Sequence, residues 1–163
     1  ISFDSNPSPG NKKGGITTIN EKSLGSVSKS GYSEITDVIS YATPITKKGL
    51  FIMDSPGYDP VSVTGQVASG ANLVCFTTGR GSTIGFKPSP CIKIASNSSM
   101  YNSMMGDMDF NCGTILNRED SIPVLGKQLF ELIIEIASGK QTHSELENYG
   151  DNEFSPWHLG PVL

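Results

Sequence analysis

The most regular hydrophobic pattern runs from Ser121 to Ser138. Leu125, Leu129, Phe130, Leu132, Ile133, Ile136 and Ala137 cover a wide apolar face, while Lys127, Gln128, Glu131 and Glu135 share a polar one. That spacing predicts an amphipathic helix, capped by Ser121, with Pro123 in its first turn and Gly139 as its stop. Ile16, Ile19, Leu24 and Val27 predict a second helix, ended by Gly31, and Ile35, Val38, Ile39 and Ala42 a third within "SEITDVISYA". A different pattern occupies Leu50–Met53, "NLVCF" and "CIKIA". These short, mostly apolar runs, continuous at Leu50–Met53, suit buried parallel strands. Between the first two, Asp59 as N-cap and Pro60 as first helical residue open a helix to about Ala68, and Gly70 ends it. Strand, helix, strand then make a βαβ unit. "SSMYNSMM" and Thr142–Asn148 can each form a short helical piece. Residues 1–15 read as loop, and the apolar tail "FSPWHLGPVL" is expected to pack on the body.

Helices alternating with apolar strands predict an α/β fold, a single three-layer domain over residues 1–163 with a mostly parallel sheet. Ligands of such sheets bind beyond the carboxyl ends of the strands. "DSPGYDP", "TTGRGSTIG" and "SNSSMYN" lie there and are expected to share one site. A net charge of −4 argues against a nucleic-acid surface. No apolar run approaches the roughly 20 residues of a membrane span, and no stretch reads as a signal peptide. Three widely spaced cysteines, Cys75, Cys91 and Cys112, are no disulfide framework, so a reduced, cytoplasmic setting is expected. Cys75, inside an apolar run, is expected to be buried. The chain opens at Ile1 in a loop-like stretch, and the expectation is an excised piece of a longer protein.

Four stretches carry candidate chemistry. In "TTGRGSTIG" the glycines let backbone N–H groups converge on an anion. Arg80 can grip a carboxylate or phosphate bidentately, and Thr77, Thr78 and Ser82 add hydroxyls. Both nucleotide patterns fail: the Walker spacing puts Ile84 where glycine belongs, and Gly79, Gly81 and Gly85 are one residue out of step for GxGxxG. Spacing alone leaves an anion site and a structural turn equally open. Asp54 follows an apolar strand, where acid/base or metal-binding groups often sit, and Asp59 is a capping residue or a second carboxylate. Asp107, Asp109 and Cys112 could hold a divalent metal of intermediate softness, or form a loop of solvated aspartates. Glu21 and Lys22 are a functional pair or an ordinary helix surface pair. His143 and His158 form no Ser/His/Asp pattern and read as structural or exposed.

Several motifs together resemble the C-terminal part of the altronate/galactarate dehydratase family: "NPSPGNKKGGITTINEKSLG", "MDSPGYDPVSVTGQVASGANLVCFTTGRGS", "KPSPCIKIASN" and "ASGKQTHSELENYG…EFSPW". Sulfolactate sulfo-lyase large subunits are similar too. Lys13 and Cys91 depart from the family's pattern, at positions where a small residue and serine are expected. The resemblance implies a Rossmann-like domain and a cytoplasmic sugar-acid dehydratase, a hydro-lyase that requires ferrous iron or another divalent metal such as Mn2+. It also implies that an upstream half of the catalytic body, with further Cys and His residues, belongs with this chain, and that the isolated piece is inactive. A homodimer is a further expectation. In this picture Arg80 holds a substrate carboxylate with Thr77, Thr78, Gly79, Gly81 and Ser82, assisted by Lys87. Asn6, Asn11 and the Gly14–Gly15 loop line the same pocket. Glu21, Lys22, Asp54 and Asp59 are candidates for the base or for hydroxyl recognition, and Asp107, Asp109 and Cys112 for the metal. The competing expectations are sulfolactate desulfonation and a non-catalytic nucleotide-binding module.

Overall fold

A computed structural model describes residues 6–158. The architecture is mixed α/β with parallel sheets, compatible with a three-layer α/β fold. The chain divides into two compact units, residues 1–37 with 49–51 and residues 38–48 with 52–163.

The first unit is mainly helical. Helix α1 (Pro9–Lys13) starts at Ser8, whose hydroxyl accepts from the Asn11 N–H. Helix α2 (Ile19–Lys29) starts at Thr18, which accepts from Glu21 N at 3.1 Å. The predicted helix is thus present, and the Gly25 inside it is tolerated. Its apolar residues Ile19, Leu24 and Val27 are exposed.

Strands β1 (Ile35–Ile39) and β2 (Leu50–Met53) pair in a two-stranded sheet. The helix expected over "SEITDVISYA" is therefore a strand. Ile35, Thr36, Val38 and Ile39 are β-branched, stiff at χ1 and suited to a pleated surface, and that preference overrides their helical spacing. β2 is a strand as expected, but half-exposed rather than buried.

In the second unit, helix α3 (Asp59–Ala68) has Tyr58 at the N-cap position, with no side-chain cap hydrogen bond. Asp59 is the first helical residue instead of the cap, still placed where a carboxylate favours the helix dipole. Strands β3 (Val74–Thr78), β4 (Cys91–Ala95) and β5 (Phe110–Asn111) form a parallel three-stranded sheet in that order. β2 and β3 lie in different sheets, so the expected βαβ unit does not form. The crossover between parallel β3 and β4 is the glycine-rich segment 79–90 itself. A parallel connection needs about a dozen residues and usually uses a helix; here irregular chain does the work, and Ile84 and Phe86 sink into the core on the way back.

β4 is buried along its whole length because both its faces are covered. On one face Cys91 packs with Val63, Val74, Ile84 and Phe86, joined by Val67 and Phe76. On the other, Ile92 and Ile94 pack with Ile136, Leu129, Leu132 and Ile133 of helix α5 (Ile122–Ala137). The sheet thus lies between α3 and α5, a local three-layer arrangement. Fully burying Ile92 or Ile94 contributes about 1.5–3 kcal/mol each. Only part of the broad apolar face of α5 is used: Ile122, Val124, Phe130 and Ile134 are exposed. Strand alternation turns Cys75 away from Val74 and Phe76, so Cys75 is exposed and Cys91 is the buried thiol.

Helix α4 (Ser98–Ser103) follows β4, and a 3₁₀ turn (Gly113–Ile115) follows β5. Helix α6 (His143–Leu146) begins with a capping box between Thr142 and Glu145. The described part of the tail, residues 154–158, packs as expected, and residues 159–163 lie outside the described residues. Ser155 N donates to Thr64 Oγ1 at 2.9 Å, Phe154 meets Phe86 with ring centroids 5.9 Å apart, and Trp157 meets Tyr41 edge-on at 5.4 Å. Among the described residues no helix is long and apolar enough to cross a membrane.

Candidate functional site

Register brings the carboxyl ends of the three strands level: Thr78 lies beside Ala95, and Ala95 beside Asn111. The segments that leave these ends are stitched together. Ser96 N donates to Thr78 O at 2.9 Å, and Asn97 Nδ2 to Gly79 O at 2.9 Å. The same Asn97 caps α4, its Oδ1 accepting from Met100 N at 2.8 Å. Asn111 Oδ1 accepts from Gly113 N at 2.8 Å. A Cβ at Gly113 would stand 2.0 Å from Ser98 N, so only glycine lets the two strand-end loops meet.

The glycine loop is folded by its own hydroxyls. Thr78 Oγ1 accepts from Gly81 N at 3.1 Å, and Ser82 Oγ from Ile84 N at 3.1 Å. Gly81 has φ +92°, a backbone that side chains other than glycine rarely adopt, and a Cβ there would also meet Met104 Sδ. Arg80, at the tip, is exposed and makes no hydrogen bond or ion pair among the described residues. Its five N–H donors are available to a ligand. Thr77, the penultimate residue of β3, is exposed. Lys87 is not part of the tip: its Nζ donates to Asn148 Oδ1 and lies 3.6 Å from Asp151 Oδ1.

Two of the three segments expected to share a site are brought together, the β3 and β4 loops. The third, residues 54–60, leaves the other sheet. Asp54 is exposed, its N–H donating to Ile39 O at 2.9 Å, and Asp59 is exposed at the start of α3. No hydrogen bond or ion pair joins 54–60 to 77–85 among the described residues.

In the first unit, Lys22 Nζ donates to Asn6 Oδ1 at 2.9 Å, so these two candidates do come together. Asn11 Oδ1 accepts from Ser8 Oγ at 2.9 Å. Glu21 accepts from both Thr17 N and Thr17 Oγ1 at 2.8 Å. The backbone N–H of Thr17, and then its hydroxyl, hold the Glu21 carboxyl below its ordinary range. Glu21 thereby serves to fasten the start of α2.

The metal candidates do not assemble. Asp109, with a side chain only 5% exposed, has both oxygens occupied: Oδ2 accepts from Lys93 N at 2.7 Å and Oδ1 from His143 N at 2.8 Å. Cys112 packs against the Ile92–Ile94 cluster, and burial raises its thiol pKa. Asp107 lies in the turn after α4, its N–H on Met104 O. No group of three His, Cys, Asp or Glu residues able to hold an ion forms among the described residues. These side chains do not fit a metal shell.

Sequence reasoning missed Asn97, Lys93 and Glu153. Asn97 carried a readable signal, an N-cap residue directly after a strand. Lys93 looked like an ordinary strand lysine, yet it is wholly buried. Glu153 reaches Gly85 N at 2.7 Å from 68 residues away, a contact with no local signature. Burial pushes the Cys91 thiol up to about 12; Lys93 acts against this, while Asp109 and Glu153 add to it.

The family described as "D-galactarate/Altronate dehydratase, C-terminal" matches residues 1–162. Over 136 residues the chain is 46% identical to galactarate dehydratase (L-threo-forming) of Escherichia coli K12, covering 83% of this chain and 26% of that protein. It is 38% identical over 149 residues to altronate dehydratase of Bacillus subtilis 168, covering 91% and 29%. It is 36% identical over 152 residues to (2R)-sulfolactate sulfo-lyase subunit beta of Chromohalobacter salexigens, covering 93% and 39%. The chain thus spans well under half the length of each of these relatives.

Proposed function

The chain belongs to the D-galactarate/altronate dehydratase family, and on that premise we propose that it forms the carboxylate-binding part of a sugar-acid hydro-lyase. The observation that carries this reading is Arg80: a guanidinium with no partner among the described residues, on a loop held by Thr78, Ser82 and Asn97 at the carboxyl end of a parallel sheet. Galactarate, altronate and sulfolactate, the acids in the relatives' names, all carry a carboxylate beside a hydroxyl-bearing carbon. A planar fork that binds such a group in two parallel hydrogen bonds suits all three.

In the dehydration, a base removes the proton on the carbon next to the carboxylate, and the hydroxyl on the following carbon leaves as water. The resulting enol becomes a 2-keto-3-deoxy acid. Negative charge builds on the substrate carboxylate as the proton leaves. Arg80 faces that carboxylate in the bound substrate as well as while its charge builds, so its grip is chiefly binding energy and reads out in KM. The hydroxyls of Thr77, Thr78 and Ser82 surround the same group. Sulfolactate would present the same carboxylate, with sulfite leaving in place of water.

Replacing Arg80 by Lys in the full-length enzyme keeps the charge and removes the fork. KM for galactarate or altronate should rise by about tenfold or more, roughly the ~1.4 kcal/mol of one lost charge-assisted hydrogen bond. An unchanged KM removes Arg80 from this role.

A further inference from the structure

The descending limb of the Arg80 loop contains one peptide group held by two ionisable side chains. The Ile84 carbonyl accepts from Lys93 Nζ at 3.3 Å, and the Gly85 N–H donates to Glu153 Oε2 at 2.7 Å. These are the two ends of a single peptide bond. Turning that peptide over would aim its carbonyl at a carboxylate and its N–H at an ammonium, so the clamp fixes one orientation. Lys93 is 0% exposed, and Ile84 and Phe86 are buried beside it. The strap that carries Glu153 lies directly on the limb. A Cβ at Gly150 would come within 2.7 Å of Phe86 N, and one at Gly85 within 3.0 Å of Tyr149. The strap is itself tied down at Thr64 through Ser155, and at Phe86 through Phe154.

On the other side of the tip, Asn97 fixes Gly79 O. Arg80 is therefore suspended between two fastened points, in a loop that Thr78 and Ser82 close from within.

We propose that Glu153 is a positioning residue, which sets the Arg80 guanidinium through the Gly85 N–H without touching substrate itself. This rests on the carboxylate role of Arg80 given above. A fork displaced by an ångström loses its aligned contacts, so Glu153 governs substrate capture more than turnover.

The test uses the full-length enzyme with galactarate and altronate as probes, and measures kcat and KM for Glu153→Ala, Glu153→Gln, Arg80→Lys and the Glu153→Ala/Arg80→Lys double variant. Glu153→Ala should raise KM about tenfold, as expected of a misplaced binding group, with kcat changed less than about twofold. Glu153→Gln should restore KM to within about threefold, since its amide oxygen accepts the same N–H. The double variant should be no worse than Arg80→Lys alone. Multiplying effects in the double variant, or an unchanged KM in Glu153→Ala, overturn the positioning role while leaving Arg80 standing. An unchanged KM in Arg80→Lys overturns the carboxylate reading first and this one with it. If Glu153→Ala does not fold, Glu153→Asp keeps the charge and shortens the reach. It should raise KM in the same direction, and a KM unchanged in Glu153→Asp overturns the proposal.

Discussion

Replacing Asp109 separates a structural carboxylate from a metal ligand. Its two oxygens accept from Lys93 N at 2.7 Å and His143 N at 2.8 Å, and its own N–H donates to Lys93 O at 2.9 Å. It therefore ties the buried strand β4 to the start of α6. A hydrogen bond to a charged group contributes about 1.5–3 kcal/mol, and a buried donor left without a partner costs about 1–3 kcal/mol. Asp109→Ala strands both amides and should cost about 3–6 kcal/mol locally, with the Lys93 amide contributing more, because its residue is wholly buried while His143 is only half-buried. Asp109→Asn keeps one acceptor oxygen and should cost about half of that. The assay is amide hydrogen exchange on the full-length enzyme, read at Lys93 and His143. A local loss of ~3 kcal/mol lowers protection roughly a hundredfold. Unchanged exchange in Asp109→Ala refutes the clamp. So does a variant that loses bound metal while both amides stay protected.

Two further outcomes follow from other parts of the chain. Glu21 has a folded-state pKa below its ordinary 4.5, set first by the Thr17 N–H. A depressed carboxyl stabilises above its unfolded value and loses that contribution as pH falls through the folded one. Protection of the Thr17 amide should therefore fall as the solution is acidified below about 4.5, and Glu21→Gln should flatten the profile. A Glu21 titration midpoint at or above 4.5, followed by NMR, contradicts this. Gly113→Ala forces a Cβ to within 2.0 Å of Ser98 N, a backbone atom with no room to yield. A loss of about 1–3 kcal/mol or more is expected in thermal unfolding of the full-length enzyme, and a variant as stable as wild type refutes the close approach.

The parts of the fold that local pattern determines were legible in the chain. Helix α5 announces itself by its periodicity, its proline and Gly139, and β4 by the short, mostly apolar run "CIKIA". The stretch "EITDVI" satisfied a helical spacing and a β-branched composition at once, and the pairing with β2 that decided between them is invisible locally. The glycine loop could be placed at a strand end. Its role as the crossover could not be read, since nothing in "TTGRGSTIGFKPSP" marks Ile84 and Phe86 as core residues. Asp109 looked like a ligand because two carboxylates and a thiol lie close in sequence. Its backbone partners, Lys93 and His143, come from β4 and α6, and only the packed sheet brings them to it. Glu153 was beyond reach for the same reason.

The central claim is that Arg80 holds a carboxylate, and a ligand-and-residue cycle tests it most directly. Inhibition constants would be measured for a 3-deoxy sugar acid, which lacks the leaving hydroxyl, and for its C1 carboxamide, against the full-length wild type and Arg80→Ala. The account predicts that Arg80→Ala weakens the acid by about 1.5–3 kcal/mol, on the order of 10- to 100-fold, and the carboxamide far less. Equal weakening of acid and carboxamide would contradict it.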